Sequence, residues 1–218
     1  MARASWCLIN QQTGTITGSG NSTLPVKAST ANTGRKQRST TITGVASGVT
    51  PNPTVSVVQA GKPLFAEWQD SGSAVTDITT DKTEKTLTLT LKTNAAKLKF
   101  SVVSDTGGML GEPTIDTMDV GGTTVQNDTD ITGDPGLDAE FSVTIKVNIK
   151  LNETVSARSA TLSVVPKTSD EEGSAVQLQI NQSAGEATLK LSPSSITLNW
   201  NGDAQNITIT SNTSWSLT

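Results

Sequence analysis

Apolar and polar residues alternate with a period of two along most of this chain. The clearest run is 86–93, in which Leu87, Leu89 and Leu91 fall on one face between threonines and a lysine. This alternation is typical of β-strands that bury one face, and β-branched residues dominate the other runs as well. We therefore predict an all-β protein with no long helix.

The alternating runs divide the chain into three segments. The head, residues 1–61, has four predicted strands separated by glycine- and proline-rich turns. The central segment, residues 62–185, has enough strands for a whole β-sandwich, and the tail, residues 186–218, has only two. The predicted strands are 6–9, 22–28, 39–43 and 54–59 in the head, 86–93, 97–102, 141–149, 158–164 and 175–182 in the central segment, and 189–193 and 207–217 in the tail.

The head and the tail each repeat one half of the central segment. Residues 38–43 of the head match 158–163, and Gln59-Ala60-Gly61 matches 182–185 with one insertion. In the tail, 208–213 matches 90–95 at the start of the central segment. The repeat predicts that the head is the closing half of a module and the tail is the opening half.

These residues resemble the BACON modules (Bacteroidetes-associated carbohydrate-binding often N-terminal) of gut Bacteroidetes and their phages. The resemblance implies immunoglobulin-like β-sandwich modules, with one complete central module and two complementary half-modules at the termini. The central segment departs from the family between residues 104 and 140, where an acidic insertion rich in glycine and threonine replaces a short connection and the expected tryptophan.

Two closures would complete the half-modules. Residues 214–218 followed by residues 1–6 read as a continuous module of this family, so either the two ends of one chain meet or the tail of one copy completes the head of the next. Almost no linker separates Gly185 from Leu189, which favours closure between copies. Such a head-to-tail contact must end in a ring or continue as a filament.

Apolar residues beside the predicted strands are the expected anchors of this closure. Trp68 lies between Glu67 and Gln69 in the predicted linker, and we interpret it as a possible exposed contact. The expected core and interface anchors are Trp6, Leu8, Ile207, Ile209, Trp215 and Leu217.

The composition argues against catalysis. The chain has no histidine to activate a serine or to bind a metal, and its one cysteine, Cys7, sits in an apolar run as a small buried side chain would. Asp128, Asp130 and Asp134 form a weak candidate calcium site, but they lack the spacing of an EF-hand loop. A solvated acidic loop is the favoured interpretation, and we predict a non-enzymatic protein without cofactors.

The net charge of -4 leaves no basic face for nucleic acid, and no apolar run approaches the roughly 18 residues that span a bilayer. The first residues lack the apolar stretch of a signal peptide, from which we expect synthesis and assembly in a host cytoplasm. We therefore expect neither nucleic acid nor membrane as a partner.

Together with the resemblance, these features predict a phage virion structural protein, an auxiliary or decoration protein of the capsid. Its expected partners are other copies of itself and the major capsid or other virion proteins. The alternatives are a carbohydrate-binding or spacer module of a Bacteroidetes surface protein, with host polysaccharide as ligand, and a component of a phage head fibre or tail.

Overall fold

The computed structural model describes residues 2–111 and 117–218, and nearly all the regular structure there is β-strand. A single 3-10 turn, Pro135–Leu137, is the one helical element within these ranges. The prediction of an all-β sandwich is confirmed. The strands are β1 (Cys7–Ile9), β2 (Val26–Ala28), β3 (Arg38–Thr43), β4 (Thr54–Gln59), β5 (Ala66–Asp70), β6 (Ser73–Ala74), β7 (Asp77–Thr80), β8 (Lys85–Thr93), β9 (Lys97–Asp105), β10 (Thr117–Val120), β11 (Thr123–Gln126), β12 (Phe141–Ile149), β13 (Arg158–Lys167), β14 (Val176–Gln182), β15 (Leu189–Ser192) and β16 (Thr208–Ser211).

Strands β5 to β14 form a two-layer sandwich. One sheet has six strands in the order β11-β10-β12-β8-β5-β6, and the other has four in the order β7-β14-β13-β9. Antiparallel pairing prevails, and β7 joins β14 in parallel. The long strands β8 and β12 pair in register from Lys85 opposite Ile149 to Thr93 opposite Phe141, which gives the sandwich its length.

The core of this sandwich comes from the inward faces of both sheets. Leu91 of β8, Ile145 of β12, Leu162 of β13 and Ile180 of β14 are all fully buried. Their neighbours along each strand are more exposed, as the alternation of the sequence predicts. Because burial of apolar area is the main stabilising term in folding, the sandwich carries the stability of the chain.

The head does not form a closed sandwich in the described part of the chain. Its strands make two separate two-stranded sheets, β1-β2 and β3-β4, and its buried apolar side chains there are Cys7 and Ile9. The tail is a single hairpin, β15-β16, whose apolar side chains are exposed or half-buried. Exposed apolar side chains in these two segments include Leu24, Val26, Val55, Val58, Leu189, Leu191, Ile207, Trp215 and Leu217.

The structure contradicts the interpretation of Trp68 as an exposed contact. Its side chain is 1% exposed, and its ring centroid lies 6.1 Å from that of Phe100 in the core. The residue belongs to β5, which pairs with β8 and places Trp68 directly opposite Leu91. The stretch that the sequence indicated as a linker, residues 62–75, therefore contains β5 and β6 of the sandwich.

Leu8, an expected core or interface anchor, does not lie on the buried face of β1. Leu8 is half-buried, whereas its neighbours Cys7 and Ile9 are the buried residues of this strand. Alternate side chains of a strand point to opposite faces, so the buried face of β1 carries Cys7 and Ile9, and Leu8 lies on the other one.

The described part of the acidic insertion extends the larger sheet and builds one end of the sandwich. Its strands β10 and β11 form a hairpin beside β12, with Met118 opposite Ile145. The 3-10 turn follows and leads into β12 at Phe141.

Candidate assembly surfaces at the two ends of the sandwich

The last hairpin of the head and the last hairpin of the central sandwich each contain the same hydrogen-bonded arginine–glutamine pair, which we call the clamp. In β3-β4, Arg38 is opposite Gln59, and its Nε donates to Gln59 Oε1 at 2.7 Å. In β13-β14, Arg158 is opposite Gln182, and the same two atoms are also 2.7 Å apart. The last hairpin of the head therefore has the same local hydrogen bonding as the last hairpin of the central sandwich.

An asparagine closes the loop before each of these hairpins in the same way. Asn32 Nδ2 donates to the carbonyls of Lys36 and Ala60, at 2.7 and 3.1 Å. Asn152 Nδ2 donates to the carbonyls of Ser156 and Ser183, both at 2.9 Å. In both places the asparagine lies six residues before the arginine of the hairpin and closes the loop between them.

The head docks on one end of the central sandwich, which we call the head end. Arg35 Nε donates to the carbonyl of Asn94 at 2.6 Å, and its guanidinium pairs with Asp134 of the insertion. The backbone N–H groups of Arg35 and Lys36 donate to the carbonyls of Gly136 and Leu137. Gly136 is buried there, and a Cβ at this position would lie 2.0 Å from the Asn94 carbonyl oxygen.

A second ion cluster lies at the head end. Glu140 accepts from Lys62 of the connection at 2.9 Å and from Lys92 of β8 at 2.5 Å. These lysines, Lys92 first and then Lys62, hold the pKa of the Glu140 carboxyl below its ordinary value, because both hydrogen-bond to the charged form. Asp134 of the insertion thus pairs with the head directly. Glu140 fixes Lys62, the first residue after the head, whose backbone N–H donates to the carbonyl of Gly34 in the head at 2.8 Å.

The tail leaves the opposite end of the sandwich, which we call the tail end. There Asn212 Nδ2 donates to the carbonyls of Glu153 and Glu186, at 2.6 and 2.7 Å, and Lys82 pairs with Glu186 at 2.6 Å. The pKa of the Glu186 carboxyl is lowered by its hydrogen bond with Lys82. A cleft lined by Lys82, Leu151, Glu153 and Asn212, among other residues, lies beside these contacts.

The connection at the tail end reproduces the one at the head end. Asn94 Oδ1 accepts from the N–H of Phe65 at 3.0 Å, and its Nδ2 donates to the carbonyl of Pro63 at 3.0 Å. Asn212 Oδ1 accepts from the N–H of Thr188 at 2.8 Å, and its Nδ2 donates to Glu186. The connection into the tail is therefore hydrogen-bonded in the same way as the connection from the head into the central sandwich.

The two ends are separated by the full length of the long strands. Thr93 of β8 precedes Asn94 at the head end, whereas Lys85 lies next to the turn after Lys82 at the tail end. A strand of this length spans about 26–30 Å at about 3.3 Å per residue. Head and tail of one chain therefore lie at opposite ends of its own sandwich.

Matching positions differ sharply in burial between the complete module and the half-modules. Leu89 in β8 is 7% exposed, whereas its tail counterpart, Ile207, is 46% exposed. Leu178 in β14 is 1% exposed, whereas its head counterpart, Val55, is 61% exposed. The head and the tail therefore expose apolar side chains at positions that are buried in the central sandwich.

The expected anchors lie on or beside these uncovered faces. Trp6 is half-buried, with the Arg38 guanidinium 4.8 Å from its ring centroid, and Ile209 of β16 is half-buried too. Trp215 and Leu217 are 50% and 53% exposed. The head anchors Trp6 and Leu8 lie in the segment that docks on the head end, and the tail anchors lie in the segment that leaves the tail end.

Each of the three candidate calcium ligands pairs with a different cationic side chain. Asp134 pairs with Arg35, Asp130 lies 3.4 Å from Lys97, and Asp128 lies 3.8 Å from Lys167. Among the described residues there is no group of three acidic, histidine or cysteine side chains that could hold a metal ion.

Sequence reasoning missed the residues that join the modules. Arg35 stood in a predicted turn and Asp134 in a predicted solvated loop, so neither pattern indicated an ion pair across 99 residues. A signal for the asparagines was present, because Asn94 and Asn212 occupy the same place in the repeat.

No helix within residues 2–111 and 117–218 combines the length and the apolar character that crossing a bilayer requires.

Comparison with known proteins yields no family for this chain. No family model matches the chain, and no curated protein matches it. An NMR structure of a protein from Bacteroides thetaiotaomicron is similar over 58% of this chain and 91% of that protein, with 21% identity and a TM-score of 0.32. A likeness of this extent identifies neither a family nor an activity.

Proposed function

We propose that this chain is a non-enzymatic structural protein of a phage virion, an auxiliary or decoration protein of the capsid whose copies link through their terminal half-modules. The observation that carries the proposal is the position of two complementary, uncovered apolar faces at opposite ends of one sandwich. A protein built this way joins to other copies rather than to a small substrate.

The separation of the two ends favours closure between copies. A tail that leaves at the far end would have to return along the whole sandwich, about 26–30 Å, to reach the head of its own chain. The short connection before β15 is held at the tail end by the hydrogen bonds that Asn212 donates to the carbonyls of Glu153 and Glu186. Closure by a second copy needs no such return.

Apolar strand faces explain why closure would be strong. When the tail of one copy covers the head of the next, side chains such as Val55, Ile207 and Leu217 are removed from water. Burial of apolar area stabilises the contact by about 25 cal/mol per Å². It also pairs the free edges of β2 and β16, which otherwise invite aggregation. The virion setting rests on the resemblance to modules of gut Bacteroidetes and their phages.

Sedimentation of the purified chain over a range of concentrations tests the proposal. We expect species much larger than the 22.6 kDa chain, and a variant lacking residues 187–218 should lose them while the central sandwich stays folded. A single 22.6 kDa species at every concentration would contradict linkage between copies. Saturable quenching of tryptophan fluorescence by host polysaccharide, without oligomers, would instead favour the carbohydrate-binding alternative.

A further inference from the structure

The complete central module specifies how a head and a tail fit together, because both half-modules keep its local pairings. In the central module β8 pairs with β5 on one edge and with β12 on the other. In the described tail, β16 pairs with β15 alone, and in the head β2 pairs with β1 alone. The missing partner of each strand is the one that the other half-module supplies.

The tail aligns with the central module through its first hairpin. Ser211 is opposite Leu189 in the tail, just as Thr93 is opposite Ala66 in the central module, and the asparagine follows directly in both. Counting back along both strands places Ile207 at the position of Leu89.

We align β2 with β12 through the backbone bond that follows each strand. The loop from there to the asparagine is one residue longer in the head, from Ser29 to Asn32, than in the central module, from Lys150 to Asn152. The N–H of Ser29 donates to the carbonyl of Trp6, as the N–H of Lys150 after β12 donates to the carbonyl of Met109. Counting back by the same number of residues places Leu24 at the position of Ile145.

We infer that β16 of one copy pairs antiparallel with the β2 side of the next copy, with Ile207 opposite Leu24. The inference rests on the proposed linkage between copies and adds its register. In the central module the equivalent residues, Leu89 and Ile145, are directly opposite each other and are 7% and 0% exposed. Ile207 and Leu24 are 46% and 41% exposed in the single chain. Pairing Ile207 with Leu24 would give these two residues the same kind of apolar contact that Leu89 and Ile145 make in the central module.

Neighbouring positions support this register over a slipped one. The next inward position of β8, Leu91, is opposite Val143, and in this register its tail counterpart Ile209 is opposite Ser22, which is small and uncharged. A shift by one residue would place Pro25 and Lys27 on the inward face. Because a slip of one residue exchanges the two faces of a strand, it would bury the Lys27 ammonium without a partner.

The register can be tested by disulfide formation between two different chains. Chains carrying Leu24→Cys and chains carrying Ile207→Cys, both with Cys7→Ala, are co-expressed and oxidised under mild conditions. Directly opposite residues have Cα atoms about 4.5–5.5 Å apart, within the range that a disulfide bridges. We expect a reducible band at twice the 22.6 kDa chain mass on a denaturing gel.

Val26→Cys is the matched control for Leu24→Cys. Val26 lies two residues further along the same face, is 45% exposed, and would stand diagonal to Ile207, at about 7–8 Å. Its yield of crosslinked dimer with Ile207→Cys should be several-fold lower. An equal or higher yield from the control pair would overturn the register.

Sedimentation of the same reduced chains separates the two proposals. Oligomers without the Leu24–Ile207 crosslink would leave linkage between copies intact and overturn the register. A chain bearing both cysteines that forms only an internal disulfide, without dimers, would overturn the register between copies and the proposed linkage together.

Discussion

Arg158 Nε lies 2.7 Å from Gln182 Oε1, and the two residues are directly opposite each other in β13 and β14. Gln182 Nε2 in turn donates to the carbonyl of Lys150 at 2.9 Å, so the side chain ties the hairpin to the end of β12. The head keeps the same clamp in Arg38 and Gln59, although it lacks a covering sheet. The clamp therefore forms in the head without a covering sheet.

Gln182→Leu should destabilise the central sandwich. Gln182 is 1% exposed, and leucine would leave Arg158 Nε and the Lys150 carbonyl without this partner. A buried polar group that loses its hydrogen bond costs about 1–3 kcal/mol, so we expect a fall of that size in the free energy of unfolding. Chemical denaturation followed by Trp68 fluorescence, with the other three tryptophans changed to phenylalanine, measures it.

Gln59→Leu provides the matched control for this change. Gln59 holds the equivalent place in the head but is half-buried, so water can replace its contacts. The unfolding of the central sandwich should stay unchanged in this variant. An equal loss in both variants would show that the clamp does not act within its own module.

Trp68→Ala should remove much of the stability of the central sandwich. The side chain of Trp68, on β5, is 1% exposed, and its ring lies beside that of Phe100 from the opposite sheet. Truncation of a buried tryptophan to alanine costs about 3–5 kcal/mol, through lost burial and the cavity left behind. Thermal unfolding followed by circular dichroism measures this loss.

Trp200→Ala makes the same chemical change at a residue that is 99% exposed. Its midpoint of unfolding should equal that of the unchanged chain. If Trp68→Ala unfolds at the same temperature as Trp200→Ala, the placement of Trp68 in the core is wrong.

The alternation of apolar and polar residues was sufficient to predict a strand such as β8, where one face packs on the core. Leu87, Leu89 and Leu91 indicated β8 because alternation directly reflects one-sided burial. Trp68 was missed because β5 is short and its neighbours Glu67 and Gln69 are polar, which also fits an exposed linker. The pairing that buries it comes from β8, and no local pattern reports such a partner.

The joint between head and sandwich could not be predicted for a related reason. Arg35 and Asp134 are 99 residues apart, and each lies in a segment whose composition is typical of a solvated turn or loop. Their contact depends on where the insertion places its 3-10 turn, which is a property of the folded sandwich. The asparagines of the two connections were accessible in principle, because the repeat aligns Asn94 with Asn212.

Arg35→Ala should loosen the head from the sandwich without unfolding the sandwich. The side chain is 15% exposed and bonds both the Asn94 carbonyl and Asp134. Hydrogen bonds to a charged group contribute about 1.5–3 kcal/mol, so the head should open more often and be cut faster by protease. Limited proteolysis with mass spectrometry should show earlier cleavage within residues 2–61 and an unchanged central fragment.

Lys36→Ala is the control for this experiment. Lys36 is exposed, and it reaches the Leu137 carbonyl through its backbone N–H, which alanine retains. Its cleavage pattern should match that of the unchanged chain. Cleavage of Arg35→Ala at the unchanged rate would contradict a role for the guanidinium in docking the head.

Acid should weaken the docking of the head through Glu140. Lys92 and Lys62 lower the pKa of this carboxyl in the folded chain from an ordinary value of 4.5, so the unfolded state binds the proton more readily. The contribution is therefore complete above about pH 5 and is lost as the pH falls through the lowered pKa. Since both lysines are about one-third exposed, we expect a contribution of about 1 kcal/mol, or about fivefold in opening.

Hydrogen exchange of the Arg35 and Lys36 N–H groups, which donate to Gly136 and Leu137, reports this opening directly. Glu140→Gln should lower their protection about fivefold at pH 6, and the difference from the unchanged chain should shrink below about pH 4.5. Glu84→Gln, which removes one negative charge before β8 at the tail end, should leave both amides unaffected. A difference between Glu140→Gln and the unchanged chain that stays constant down to pH 3 would mean that Glu140 acts there through packing and not through its charge.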